Sequence, residues 1–173
     1  MTQTLILGGA RSGKSALAER LAHAFDDVVY IATAQAGDAE MALRIAEHRA
    51  RRPAHWRSVE QPITLAATLA EHARAGRCLL VDCLTLWLSN LLLSDDTDVL
   101  VRERTALLAV LPNLPGELLL VSNEVGQGVV PLGELSRRFV DQAGWLHQAL
   151  ASQCQRVVLV TAGLPLALKG NLS

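Results

Sequence analysis

Five short aliphatic runs recur along this chain, and they constrain its fold more than any other feature: Thr4–Leu7, Val28–Ala32, Cys78–Asp82, Glu117–Ser122 and Arg156–Thr161. Each is rich in Val, Leu or Ile and shows little polar alternation. A strand with one wet face alternates apolar and polar residues, whereas a strand covered on both faces does not. The runs therefore predict a parallel sheet buried on both sides. Two weaker runs, Trp56–Val59 and Pro165–Lys169, add candidate strands. The second follows the Gly163 turn so closely that it reads as an antiparallel edge.

The segments between the runs read as helices: Ser15–Ala24, Ala39–Arg51, Ile63–Ala75, Thr85–Leu93, Asp98–Leu111 and Leu132–Gln153. Pro53 and Pro112 disfavour continuation of the helices before them, and Gly76 is placed to cap Ile63–Ala75. Strand–helix alternation of this kind predicts an α/β domain with right-handed crossovers. A length of 173 residues suits one domain, 1–173, and is too short for two comfortable ones. Only 3% of residues are aromatic, so the core must be built from Leu, Val, Ile and Ala. The aliphatic Leu86–Leu93 stretch could be core or interface, and Ser94–Asp98 reads as an exposed acidic loop.

A net charge of −1 gives no general electrostatic reason to bind nucleic acid or an anionic membrane. The most apolar stretch, Cys78 to Leu93, contains Asp82, Ser89 and Asn90 and falls short of the ~20 residues needed to cross a bilayer. No basic leader or cleavage site precedes the first strand. Cys78 and Cys83 flank one strand, roughly 16 Å apart if extended, too far to bridge. Reduced, buried thiols and the absence of a leader lead us to expect a soluble, cytoplasmic protein.

Chemistry enters at Gly8-Gly9-Ala10-Arg11-Ser12-Gly13-Lys14-Ser15, a full match to G-x-x-x-x-G-K-[ST] between an aliphatic strand and a helix. Its glycines let successive backbone N–H groups curl toward phosphate oxygens, and the following helix adds its positive end. Lys14 can reach the β and γ phosphates, and the Ser15 hydroxyl can ligate Mg²⁺. Asp82, at the end of Leu79-Leu80-Val81-Asp82, suits a second anchor for that metal. It would serve as well to cap the helix at Thr85–Leu93. The expected class is α/β, a mostly parallel sheet flanked by helices, of the P-loop nucleoside triphosphate hydrolase type.

A second segment, Arg44 to Pro53, places Arg44, His48 and Arg51 or Arg52 on one side of a helix. Such a face could hold polyphosphate and offer a neutral imidazole to phosphorus, though a single His among arginines is more often a solvated surface. The other histidines, His23, His55, His72 and His147, show no metal-ligand spacing.

Together these motifs resemble one family, the bifunctional adenosylcobinamide kinase / adenosylcobinamide-phosphate guanylyltransferases of cobalamin biosynthesis. The matching blocks run in order along nearly the whole chain: Gly8–Ser15, Tyr30–Ala34, Arg44-Ile45 with His48 and Arg51-Arg52-Pro53, His55-Trp56, Glu60, Val81–Thr85 with Trp87 and Asn90-Leu91, Ser122–Gly126, Gly128–Pro131, and Arg138-Phe139 with Asp141. The resemblance implies phosphorylation of adenosylcobinamide by ATP or GTP. It then implies transfer of GMP from GTP to the resulting phosphate through a guanylyl-histidine intermediate. His48 is the position that matches the histidine. Ala32, Thr33, Ala34, Arg49, Ala50, Arg51, Arg52, Glu60 and Asp82 match positions the family uses around the nucleotide. Glu60 could accept hydrogen bonds from a guanine edge or ribose, or be a surface carboxylate at a strand end. Asn123-Glu124 could order water or metal, or shape the turn before Gly126. The resemblance also implies a homo-oligomer, a trimer.

Two features depart from the family or from expectation. Glu47 stands where some relatives carry a second histidine, and the guanine signature N-K-x-D is absent. Competing readings are a plain small-molecule kinase, which would form no protein–nucleotide adduct, and a non-catalytic nucleotide-binding protein. A motor or helicase-like ATPase would need more length and a basic surface.

Overall fold

The computed structural model describes residues 2–35, 43, 46 and 53–171. Seven strands form one sheet: β1 (Thr2–Gly8), β2 (Asp27–Ala32), β3 (Arg57–Glu60), β4 (Arg77–Asp82), β5 (Glu117–Asn123), β6 (Arg156–Thr161) and β7 (Leu164–Lys169). Their order is β3-β2-β4-β5-β1-β6-β7; every pairing is parallel except β6 with β7. The helices are α1 (Lys14–Ala22), α2 (Leu65–His72), α3 (Leu84–Leu92), α4 (Val99–Val110) and α5 (Glu134–Gln153).

Period-two alternation along each strand divides the aliphatic residues between two cores. Leu5, Leu7, Val29, Ile31, Val81 and Leu120 point to the side covered by α2, α3, α4 and α5. Ile6, Val28, Tyr30, Leu80, Leu119 and Val121 point to the side covered by Leu17, Ala18 and Ala22 of α1 and by Trp56. Both faces being apolar, the sequence could not alternate, which is why the runs read as continuous. The helices carry matching stripes: Leu84, Trp87, Leu88 and Leu91 on α3, and Ala143, Leu146, His147 and Leu150 on α5, are buried at i, i+3, i+4 and i+7 spacing. The Leu86–Leu93 stretch is thus mostly core, with Leu93 left exposed.

The fold class matches the expectation, with several boundaries shifted. Residues Trp56–Val59 form β3 one position later, beside β2, and Leu164–Lys169 pairs antiparallel with β6. The intervening tight turn puts Ala162 (φ 52°) and Gly163 (φ 79°) in the left-handed region that a two-residue hairpin requires. Gly76 does not cap a helix. α2 ends at His72 because Ala73 is already extended (ψ 129°), and Gly76 (φ 80°) instead turns the chain into β4. Pro112 ends α4 as an α-helix, yet the chain continues as a short 3₁₀ turn over Leu111–Asn113, where a proline in the first turn removes no needed N–H. The helix expected over Ala39–Arg51 lies outside the described residues apart from Leu43 and Ala46, both helical and exposed. Among the described residues no helix is long and apolar enough to cross a membrane.

Candidate nucleotide site

Parallel register brings the carboxyl ends of five strands to one rim. Gly8 of β1 lies opposite Asn123 of β5, Val121 of β5 opposite Asp82 of β4, and Ala32 of β2 opposite both Asp82 and Glu60 of β3. In open α/β sheets this rim is where ligands gather. The sequence-predicted residues Gly8–Ser15, Ala32–Ala34, Glu60 and Asp82 all sit along it. His48, Arg49, Ala50, Arg51 and Arg52 lie outside the described residues.

The loop after β1 owes its shape to particular backbone demands. Arg11 (φ 56°) and Gly13 (φ 97°) are both left-handed. Gly13 occupies the N-cap position of α1 and, having no side chain, caps none of the first N–H groups of the helix. Such groups are ready to receive an anion. The Ser12 hydroxyl is buried and has no hydrogen-bond partner among the described residues, a polar atom that a bound anion could satisfy. Behind the loop, the β6–β7 turn braces it, with Gly163 N donating to Ser12 O at 2.8 Å. Lys14 is 8% exposed and reaches back over the loop, its Nζ donating to Gly9 O at 3.2 Å.

Gly8 has no room for a side chain. A Cβ there would meet Ser12 Oγ at 2.4 Å and the Val160 carbonyl oxygen at 2.6 Å. The serine could rotate away, but the carbonyl belongs to the neighbouring strand and cannot. Gly8→Ala is expected to destabilise the fold by about 1–3 kcal/mol and to weaken nucleotide binding. Denaturant unfolding followed with and without nucleotide measures both effects.

Asp82 does not cap α3. That position falls to Cys83, which makes no side-chain cap bond, and the Asp82 carboxylate instead accepts a hydrogen bond from Tyr30 Oη at 2.9 Å. Tyr30 is 2% exposed, so the phenol holds this carboxylate from within the core. Thr33 clamps the same corner: its Oγ1 donates to Cys83 O at 2.6 Å and accepts from Cys83 N at 3.0 Å. Asn90 Nδ2 then donates to Thr33 O and Pro62 O. Burial first, and then the Asp82 charge, push the Cys83 thiol up, while Thr85 and the Lys14 charge pull it down. Lys14, Asp82 and Cys83 therefore share one electrostatic neighbourhood.

The donor set suits Mg²⁺. The Ser15 hydroxyl and Asp82 carboxylate are hard oxygens, and this ion binds through one or two carboxylates, water and substrate phosphates rather than a protein cage. Among the described residues no cluster of three or more His, Cys, Asp or Glu forms such a cage.

The polar rim continues onto β5 through residues the sequence left undecided. Asn123 Nδ2 donates to Thr85 Oγ1 at 2.9 Å, and Glu124 N donates to Gly8 O at 3.0 Å, tying this strand to the loop's first residue. Glu124 Oε1 accepts from Gly126 N at 2.6 Å. Behind it, His147 of α5 places Nδ1 3.8 Å from Glu124 Oε2 and Nε2 2.7 Å from the buried Ser122 Oγ. Burial lowers the His147 pKa, opposed by the Glu124 charge. Nothing in metal-ligand spacing flags His147; the available signal was a histidine falling on the apolar stripe of an otherwise core-facing helix.

A glycine-rich loop between a central parallel strand and a helix, with an acid at the end of the next strand but one, is the P-loop nucleoside triphosphatase arrangement. The fold is shared with an ATPase from the type III secretion system of pathogenic bacteria (TM-score 0.55, 13% identity, covering 92% of this chain and 51% of that one). Sequence comparison is more specific: residues 4–168 match the family described as cobinamide kinase / cobinamide phosphate guanyltransferase, and the chain belongs to it. It is 71% identical to the bifunctional adenosylcobalamin biosynthesis protein CobP of Pseudomonas aeruginosa, over 96% of this chain and 97% of that protein. It is 39% identical to the protein CobU of Escherichia coli K12, likewise described as bifunctional in adenosylcobalamin biosynthesis, over 95% and 98%.

Proposed function

We propose that this protein phosphorylates adenosylcobinamide with ATP or GTP. It then transfers GMP from GTP to the phosphate so formed, giving adenosyl-GDP-cobinamide. The observation that carries this reading is the family match over residues 4–168, a range that includes both the phosphate cradle and the Arg44–Pro53 segment.

In the kinase step the loop N–H groups and Lys14 bind the triphosphate and take up charge that develops as the γ-phosphoryl group leaves. Ser15 and Asp82 would hold Mg²⁺, which would supply neutralisation of the triphosphate's charge when bound. Tyr30 and the Thr33 clamp keep the Asp82 corner in place. In the second step His48 attacks the α-phosphorus, pyrophosphate departs with the bond's electron pair, and the cobinamide phosphate then takes GMP from the histidine. Arg49, Arg51 and Arg52 are placed in sequence to steady the phosphates around it. Ala32, Thr33, Ala34, Ala50 and Glu60 border the nucleoside in this reading, with Glu60 a candidate acceptor for a guanine or ribose donor.

A homo-oligomer belongs to the same reading, a trimer by family resemblance. Leu164, Leu166 and Leu168 are more than half exposed on one face of the edge strand β7, an apolar surface that a second copy would cover. Three buried free thiols, Cys78, Cys83 and Cys154, suit the reducing cytoplasm.

The test is a denaturing gel after incubation with Mg²⁺ and GTP labelled at either the α or the γ phosphorus. An acid-labile, alkali-stable protein adduct carrying only the α label is the expected result. GTP binding without any adduct would favour a plain kinase instead.

A further inference from the structure

The two proposed reactions differ in their proton bookkeeping. In the kinase step the acceptor is an alcohol, about as weakly acidic as water, whose proton must go somewhere as its oxygen bonds phosphorus. In guanylyl transfer the acceptor is a phosphate monoester with a second pKa of about 6, already deprotonated at neutral pH. A site that runs both reactions needs a base for the first only.

Three described acids stand on the rim. Glu60, on β3, is four strands from β1, roughly 19 Å at ~4.8 Å per strand. Asp82 is nearer, but its carboxylate is held by Tyr30 and is the acid suited to the metal. Glu124 follows β5, the strand beside β1, and its backbone is bonded to Gly8, the first residue of the cradle.

We propose that Glu124 is the base that receives the proton of the acceptor hydroxyl in the kinase step, and that buried His147 is the positioning residue that aims it. Resting as it does on the proposed function, this inference assigns a residue to one of its two steps. The acceptor O–H bond breaks as the oxygen bonds the γ-phosphorus, and the proton passes to Glu124. The bond between that phosphorus and its bridging oxygen breaks, its electron pair leaving with the nucleoside diphosphate. Glu124 afterwards returns the proton to water.

The carboxylate's surroundings fit this role. Oε1 is fixed by Gly126 N–H, whereas among the described residues Oε2 meets only an electrostatic contact from His147 at 3.8 Å, too long for a hydrogen bond. The Glu124 side chain is 22% exposed, so it opens on the rim while His147 behind it is 9% exposed. His147 thus stands between Glu124 and Ser122: Nδ1 faces Glu124 Oε2, and Nε2 shares a 2.7 Å hydrogen bond with the Ser122 hydroxyl, its direction set by the imidazole tautomer. A loop-shaping role for Glu124 accounts for the Gly126 bond. It does not account for a histidine and a serine buried behind the other oxygen, where a leucine on α5 would pack without desolvating an imidazole.

The experiment compares Glu124→Gln with the unmutated full chain in two assays: phosphorylation of adenosylcobinamide, and guanylylation of cobinamide phosphate prepared beforehand. Glu124→Gln is expected to lower the kinase kcat about 10²–10⁴-fold, with the KM for GTP and the guanylylation rate little changed. Glu124→Asp should recover part of the kinase rate. His147→Gln should cost the kinase step alone about 10–100-fold, the usual scale for an orienting partner. Equal losses in both assays would overturn the proposal by making Glu124 a prop for the cradle, as would an undiminished kinase rate. If the unmutated chain phosphorylated no cobinamide, the proposed function itself would fall and this inference with it.

Discussion

His48→Ala is expected to abolish guanylyl transfer, lowering its rate by about 10⁴-fold or more, as loss of a covalent nucleophile does in other enzymes. Phosphorylation of adenosylcobinamide should survive, because that step works on the γ-phosphorus and uses no protein nucleophile. A neutral imidazole is nucleophilic near pH 7, and the phosphoramidate it forms passes its GMP readily to a second acceptor. Without it, the cobinamide phosphate must attack the α-phosphorus directly, anion against anion. The variant should therefore accumulate cobinamide phosphate, which chromatography of the corrinoid products detects. Normal guanylyl transfer by the variant would exclude the covalent route. Glu47, in place of the second histidine some relatives carry, leaves no neighbouring imidazole to rescue the reaction.

Lys14→Met should instead remove both activities, each by about 10³-fold in kcat, the scale set by losing one preorganised charge at a developing anion. On the proposed function both reactions would draw on the same triphosphate cradle, so neither should be spared. Stability is expected to move the other way. Lys14 is 8% exposed and its ammonium reaches the Gly9 carbonyl. Burying a cation there costs solvation free energy that a methionine of similar length does not. A melting temperature unchanged or raised, together with lost activity, identifies Lys14 as a residue kept for chemistry at the expense of stability. A variant that unfolds would mean Lys14 is needed to build the loop.

Much of this was legible in the residues, and what was not has physical reasons. The strands could be read because both sheet faces are covered, which leaves Leu5, Ile6 and Leu7 as a continuous apolar run. The cradle could be read because its chemistry is local: the glycines of the loop and Lys14 and Ser15 at the start of α1 form one continuous stretch. Helix ends were less legible where tertiary contacts decide them. Gly76 looked like a cap, but the chain leaves α2 at Ala73 and uses Gly76 to enter β4. For Asp82 the sequence favours a rim acid over a helix cap, but it does not show what holds the carboxylate, since that bond comes from Tyr30, 52 residues away. Likewise Ser122, Glu124 and His147 form a group only through the packing of α5 on β5, and no spacing rule joins residues 25 positions apart.

The two-step reaction is tested by a time course of adenosylcobinamide with the purified chain, Mg²⁺ and GTP, resolved by mass spectrometry of the corrinoids. The corrinoid mass is expected to rise first by one phosphoryl group and then by a GMP moiety, with GDP released in the first phase and pyrophosphate in the second. Arrest at cobinamide phosphate in the presence of excess GTP, or no change in the corrinoid at all, would contradict it.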